Sequence, residues 1–281
     1  MNSKQVSVVE QFHALHASGC FVLPNPWDAG SAIYLEHVGF KALATTSAGF
    51  AFSKGLPDSP DLIPRDMMLD HFSEIAAATS LPVNADFQNG YADAPEDVAE
   101  SVRACAATGV AGLSIEDNSG NTEKPLYDFD LAVERIKAAR QAIDSSGISV
   151  VLTARCEAHL VGDPNPLRTS IDRLVGFADA GADCLYAPGV TTPDDIAAIV
   201  KAVAPKPVNV LVYAKNCHLT VRQLADLGVR RISLGSSLAR AAWTGAITAA
   251  REILERGQFN SLADMSVFDF NKLFRERSQG I

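Results

Sequence analysis

No stretch of this sequence is rich in lysine and arginine. The chain carries a formal charge of −9, and without a basic cluster or stripe it is not built to hold nucleic acid. No apolar run approaches membrane-spanning length, so no membrane partner is expected. The first residues, MNSKQVSVVEQFHALHASG, lack the basic region and long apolar block of a signal peptide. They read instead as an amphipathic helix, with Val6, Val9, Phe12 and Leu15 at helical spacing. The five cysteines (Cys20, Cys105, Cys156, Cys184, Cys217) are odd in number and scattered, with no CxxC and no Cys/His metal spacing. They fit free thiols in a reducing compartment, so a cytoplasmic location is the expectation. What remains is an ordinary globular composition: 281 residues, 47% hydrophobic and 20% charged, with ample material for a large core.

A unit recurs along the chain: a short β-rich run, a turn, then an amphipathic helix ending near glycine. Eight strands are predicted, at 21–25, 41–47, 82–86, 111–117, 149–155, 183–188, 207–212 and 230–236. They are nearly continuous apolar runs, the pattern of parallel strands covered by helices. Helix starts are marked by Asp93 and Glu96 spaced as a capping box, by Thr192 before Pro193, and by Thr220. Alternating βα units counted to eight predict one α/β domain over 1–281, a (β/α)8 TIM barrel with an extra N-terminal helix. No G-x-G-x-x-G follows the first strand, which removes the main support for a dinucleotide-binding sheet. Residues 239–281 form a C-terminal helical tail carrying Met265, Phe268, Phe270, Leu273 and Phe274. These are too apolar to be solvated, and the tail is expected to pack on a neighbouring subunit of a homodimer or homotetramer.

The strand ends collect polar residues. They include Asn25, Thr45, Thr46 and Ser47, Asn84 and Asp86, Glu116 and Asp117, Arg155 and Glu157, Tyr186, Asn209, Ser236 and Ser237. Asn84 and Asp86 share one face of their strand, because strand side chains alternate. An isolated N-x-D reads as a turn-forming pair. A ring of such ends at the mouth of a barrel reads as a site, because unpaired charge there is costly unless something binds it. Oxygen donors suit Mg2+, and an arginine beside them suits an anionic substrate.

PNPWDAGSA, TTSAGFAFSKGLPD, NADFQNGY, GLSIED and TARCEAH, in this order between about Phe21 and Ser237, resemble the isocitrate lyase/phosphoenolpyruvate mutase superfamily. The resemblance implies a Mg2+-dependent barrel, with Mn2+ able to substitute. Its substrate would be a small 2-oxo or 2-hydroxy carboxylate, split or decarboxylated through an enolate. It implies Thr46 and Ser47 as a cradle for the substrate carboxylate and Asp58 as an acid near the metal. Asn84, Asp86 and Glu116 fall at metal-ligand positions. Arg155 falls where the family binds the substrate's carboxylate and oxo oxygen. Asp58, Glu116 and Arg155 are the catalytic candidates; Asp86 and Asn209 join the substrate-binding set.

Two departures narrow the reading. Asn84 stands where the family has the first acid of D-x-D, so one ligand charge is missing. The segment Asn118–Asp130 has no counterpart of the lyases' K-K-C-G-H cysteine, which argues against isocitrate and methylisocitrate cleavage. Cys156 lies next to Arg155, but alternation turns it to the other face. Phosphonopyruvate-type P–C chemistry is the alternative within the superfamily. A barrel that binds an oxo acid without turnover is the alternative outside enzymology, and Asn84 is the feature that favours it.

Overall fold

The apolar runs fold as the alternation predicts. In the computed structural model, which describes residues 3–59, 62–263 and 268–279, all eight strands form where expected, each shorter than its apolar run. They are β1 (Phe21–Leu23), β2 (Leu43–Ala44), β3 (Val83–Asp86), β4 (Gly112–Glu116), β5 (Val151–Arg155), β6 (Cys184–Tyr186), β7 (Val208–Leu211) and β8 (Arg231–Ser233). Helix α1 (Ser3–Ala17) precedes them. The connections carry α2 (Ala29–His37), α3 (Ser47–Ser53), α4 (Arg65–Ala78), α5 (Pro95–Ala106), α6 (Phe129–Ser146), α7 (Pro166–Asp179), α8 (Pro193–Val203) and α9 (Val221–Asp226). After β8 come α10 (Ser237–Arg256) and α11 (Phe270–Gln279).

Every pairing is parallel, and the strand order runs β1-β8-β7-β6-β5-β4-β3-β2. The ring closes between β1 and β2 through the Ala44 N–H donating to Pro24 O at 3.0 Å and Asn25 Nδ2 donating to Thr45 O at 2.8 Å. The molecule is therefore a (β/α)8 barrel with helices added at both ends of the chain. Helix α1 sits under the barrel: Phe12 is fully buried, and Gln5 Nε2 donates to the Ala106 and Val110 carbonyls at 2.7 and 3.2 Å.

Local signals were followed in part. Thr192 and Thr220 cap α8 and α9 by accepting from the N–H groups of Asp195 and Gln223. The Asp93–Glu96 capping box does not form. Ala94 is the cap of α5, and Asp93 instead accepts from the Tyr127 hydroxyl. The end of the tail contacts its own chain, with Tyr34 of α2 meeting Phe268 and Phe270 at ring separations of 5.2 and 6.0 Å, while Phe270 stays 47% exposed. Arg277 reaches Glu36 at 3.5 Å. Met265 lies outside the described residues.

Candidate active site

The polar strand ends meet at one mouth, and Arg155 is its centre. Its Nη1 lies 3.3 Å from Glu116 Oε2 and 3.4 Å from Asp86 Oδ1, while its Nε donates to Glu157 Oε1. The register explains the meeting: Glu116 of β4 is level with Arg155 of β5, and Asp86 of β3 is level with Ser114 of β4. Tyr186 of β6 completes one wall, its ring centroid 5.4 Å from the guanidinium carbon. On the opposite side Thr46 caps α3 by accepting from the Gly49 N–H. Ser47, one residue on, donates to Asp86 Oδ2 from both its N–H and its hydroxyl, each at 3.0 Å. Asp58, Gln88, Ser47, Glu116, Arg155 and Glu157 line one cavity of about 280 Å3.

Negative charge is in excess here. Four carboxylates (Asp58, Asp86, Glu116, Glu157) face one guanidinium. Burial pushes Glu116 up to about 8; Arg155 opposes this, and Glu157 and Asp86 add to it. Burial and the neighbouring Asp86 also raise Asp58, with Ser47 and Arg155 working the other way. Tyr186 is raised to about 12 by burial. Crowded carboxylates of this kind favour either a shared proton or a bound cation.

The loop after β3 is held in an uncommon backbone state. Gln88 and Tyr91 have φ of 47° and 57°, a region that residues other than glycine seldom enter and that clusters at functional sites. The Gln88 carbonyl accepts from the Glu116 N–H at 2.8 Å, which ties the loop to β4. Gln88 Nε2 and the Tyr91 hydroxyl are buried without a hydrogen-bond partner among the described residues. Sequence reading missed Tyr91; the Asn89-Gly90 turn was the available signal.

Two other candidates lie deeper in the barrel. Asn84 is two residues before Asp86, about 6.6 Å lower along the strand, and its Oδ1 faces Arg231 Nη1 at 3.5 Å. It lines one small cavity together with Asp86 and Arg155, a step below the acids of the mouth. Asn209 is also low: its Oδ1 accepts from Arg231 Nε at 3.0 Å and its Nδ2 donates to Ser233 Oγ at 2.9 Å. Asp117 is bound by Arg173 at 3.0 Å and by the Glu157 N–H at 2.8 Å. Among the described residues, no three His, Cys, Asp or Glu side chains already converge as a metal cage. The Arg155 guanidinium fills the space between the acids. The donor chemistry nonetheless fits a hard cation, because every acid there offers oxygen and the charge is unbalanced.

A barrel of this kind, with acids, an arginine and a helix N-terminus at its C-terminal mouth, is the layout of a barrel enzyme with its site in the usual place. The chain belongs to the phosphoenolpyruvate phosphomutase family, whose model matches residues 12–254. It is thereby a member of the isocitrate lyase/phosphoenolpyruvate mutase superfamily, a group of lyases and mutases. Among curated relatives, an uncharacterized protein of Mycobacterium tuberculosis is 34% identical over 88% of this chain and 90% of its own length. A 2-methylisocitrate lyase of Aeropyrum pernix is 26% identical over 86% and 78%. An oxaloacetate decarboxylase of Rhodopseudomonas palustris is 28% identical over 91% and 88%. Among solved structures, a candidate lyase/mutase from Burkholderia cenocepacia J2315 superposes with a TM-score of 0.92 at 48% identity, covering 97% of both chains. No helix among the described residues is long and apolar enough to cross a membrane.

Proposed function

We propose that this protein is a Mg2+-dependent lyase of small 2-oxo or 2-hydroxy carboxylates, breaking a C–C bond or removing CO2. The observation that carries the reading is the set of four carboxylates around Arg155 at the barrel mouth. Asp86 and Glu116 would hold the cation, with Asp58 beside it as the acid. Asn84 is left out of that set, because it is neutral and lies a step lower, toward Arg231. Bound there, Mg2+ would polarise the substrate's 2-oxo group and stabilise negative charge on that oxygen.

The chain's own residues account for the rest. The Ser47 N–H and hydroxyl, at the start of α3, are placed to receive a carboxylate. Arg155, drawn from its present acids toward the substrate, neutralises the charge of the carboxylate and the oxo group. When the bond to the leaving carbon breaks, its electron pair is delocalised toward the 2-oxo oxygen. The carbon left behind then needs a proton, and Asp58, whose carboxyl is raised by burial, is the group suited to return it. The relatives named as lyases and as an oxaloacetate decarboxylase support this reading. The stretch from Asn118 to Asp130 holds no cysteine and Cys156 is fully buried, so cleavage of the isocitrate type is not favoured.

The test is a screen of 2-oxo acids, 2-hydroxy acids and phosphonates for product formation, with Mg2+ and with chelator. Chelator-sensitive turnover of a carboxylate, lost in Glu116→Gln, is the expected result. Release of phosphate from a phosphonate would shift the assignment to P–C chemistry. Tight oxalate binding without any turnover would mark a binding barrel.

A further inference from the structure

The loop after β3 is bonded tightly around one residue whose side chain is left unused. Arg135 of α6, 1% exposed, donates to the carbonyls of Asn89, Ala92 and Asp93. Its guanidinium carbon lies 4.0 Å from the Tyr127 ring centroid. The Tyr127 hydroxyl donates to Asp93 and accepts from Asn89 Nδ2 at 3.2 Å. Asn89 Oδ1 accepts from the Tyr91 N–H at 3.0 Å, and the Gly90 N–H donates to Phe87 O at 2.9 Å. Surroundings that fix a loop this fully can hold a residue in a backbone state it would not choose. That residue is Gln88, with φ of 47°.

Glycine would adopt this conformation without steric cost. A glutamine held there needs another reason, and its side chain supplies one. Gln88 is 6% exposed, yet it lines the mouth cavity with Asp58, Glu116 and Arg155. Its backbone is committed, since its carbonyl accepts from the Glu116 N–H at 2.8 Å. Its side-chain amide is not: Nε2 has no partner among the described residues. A buried amide without a partner costs stability. Backbone and side chain of Gln88 are thus both unfavourable to the fold alone, and residues of that kind collect where a ligand binds.

The chemistry of the cavity wall defines what the amide would meet. A carboxamide carries two donors, an acceptor oxygen and no charge. Its last torsion is soft, so the amide can turn either end to the cavity that the residue lines. Asp58, Glu116 and Glu157 share that cavity with the single guanidinium of Arg155, which disfavours a further anion beside Gln88. A hydroxyl or carbonyl oxygen is the complement, because it accepts from the amide and adds no charge. Gln88 adjoins Glu116, a proposed cation ligand, so the amide stands beside the 2-oxo group that the cation would polarise.

We infer that Gln88 is a specificity-determining residue that hydrogen-bonds a neutral oxygen, a hydroxyl or carbonyl, on the carbon next to the 2-oxo group of the substrate. This rests on the reading of the mouth as a 2-oxo acid site, and it narrows that class to acids bearing such an oxygen. In that reading Ser47, Arg155 and the cation hold the reacting end, and Gln88 reads the substituent beside it.

Calorimetry on the full chain with Mg2+ tests this with 3-hydroxypyruvate and 2-oxobutyrate, which differ by a hydroxyl in place of a methyl, and with oxalate, which has no such substituent. Wild type should bind 3-hydroxypyruvate at least about fivefold tighter than 2-oxobutyrate, the scale of one neutral hydrogen bond. Gln88→Leu should abolish or reverse that preference and leave oxalate affinity within about twofold. Gln88→Gly should abolish it too and melt no lower than wild type, because it relieves the backbone and removes the unpartnered amide. Oxalate binding by wild type without the preference overturns the inference alone, as does a preference that survives in either variant. A Gln88→Gly chain that loses the preference, oxalate affinity and melting temperature together also overturns it, since the amide would then serve the fold. No oxalate binding by wild type overturns the mouth reading and this inference with it.

Discussion

Ser47 donates to a single oxygen of Asp86 twice, from its N–H and from its hydroxyl, at 3.0 Å each. The bonds tie the β2–α3 turn to the end of β3. They also mean that the N–H and hydroxyl suited to a substrate carboxylate are engaged by a carboxylate of the protein. Asp86 Oδ1 meanwhile faces Arg155 at 3.4 Å. Substrate entry on the proposed path therefore requires Asp86 to give up both partners, and a cation drawing Asp86 toward Glu116 would release Ser47 and Arg155 together.

Ser47→Ala tests that exchange. The backbone bond to Asp86 survives and the hydroxyl bond is lost, which should lower stability by about 1 kcal/mol. The same hydroxyl lowers the raised Asp58 carboxyl, so its removal should raise Asp58 further. KM should increase roughly fivefold to tenfold, consistent with about 1 kcal/mol of lost carboxylate binding. Unchanged KM beside unchanged stability would remove Ser47 from the site.

The sequence disclosed the barrel because its strands are apolar throughout and its helices are punctuated by caps and glycines. It overstated the strand ends. Expected strand 41–47 is reduced to Leu43–Ala44, because Thr46 and Ser47 turn into α3 as its cap and first residue. The mouth was legible for Asp86, Glu116, Arg155 and Ser47, which strand alternation and order bring together. Arg231 was not, since Arg230-Arg231 at a strand start reads as a solvated rim. Alternation alone could have found it: Arg231 and Ser233 share one face of β8. The pairing of Asp93 with Tyr127 joins residues 34 apart and was beyond any local spacing rule.

His71 gives a pH prediction. It is buried on α4, stacked on Phe50 at 4.1 Å, and both ring nitrogens lack partners among the described residues. Burial, and then Lys54, lower its pKa from 6.5 to about 4. The unfolded chain therefore takes up a proton below pH 6.5 that the fold refuses. Stability is fully present above that pH and falls as pH drops toward 4, by about 2 kcal/mol at pH 5. His71→Leu removes this contribution. Urea melts should show the variant gaining about that amount over wild type between pH 7 and pH 5. Parallel pH profiles would show that His71 is protonated in the fold.

Gly112 gives a packing prediction. A Cβ there would stand 2.7 Å from the Phe12 ring and 3.0 Å from both Asn84 Oδ1 and the Val151 carbonyl oxygen. The carbonyl belongs to β5 and cannot retreat without breaking the sheet. Gly112→Ala should cost roughly 1–3 kcal/mol. It should appear as a lower denaturant midpoint at constant slope. A midpoint equal to wild type would mean that α1 and the neighbouring β5 backbone both give way without cost.

The last prediction concerns assembly. A large uncovered apolar face lies on α10. Trp243 and Ile247 are 48% and 47% exposed, and Leu254 is 87% exposed. These three recur at spacings of four and seven, so they share one helical face. Trp243 and Ile247 also line, with Phe52 and Leu56, a groove of about 450 Å3. Covering such side chains contributes roughly 1.5–3 kcal/mol each when burial is complete. A homo-oligomer joined through α10, within the 239–281 segment, is therefore expected. Trp243→Glu with Ile247→Glu should dissociate it in light scattering while leaving the melting profile of the barrel cooperative. Truncation after Gly257 should leave the assembly in place, because α11 serves its own chain. A monomeric wild type at micromolar concentration would refute the assignment, and so would a truncated chain that falls apart.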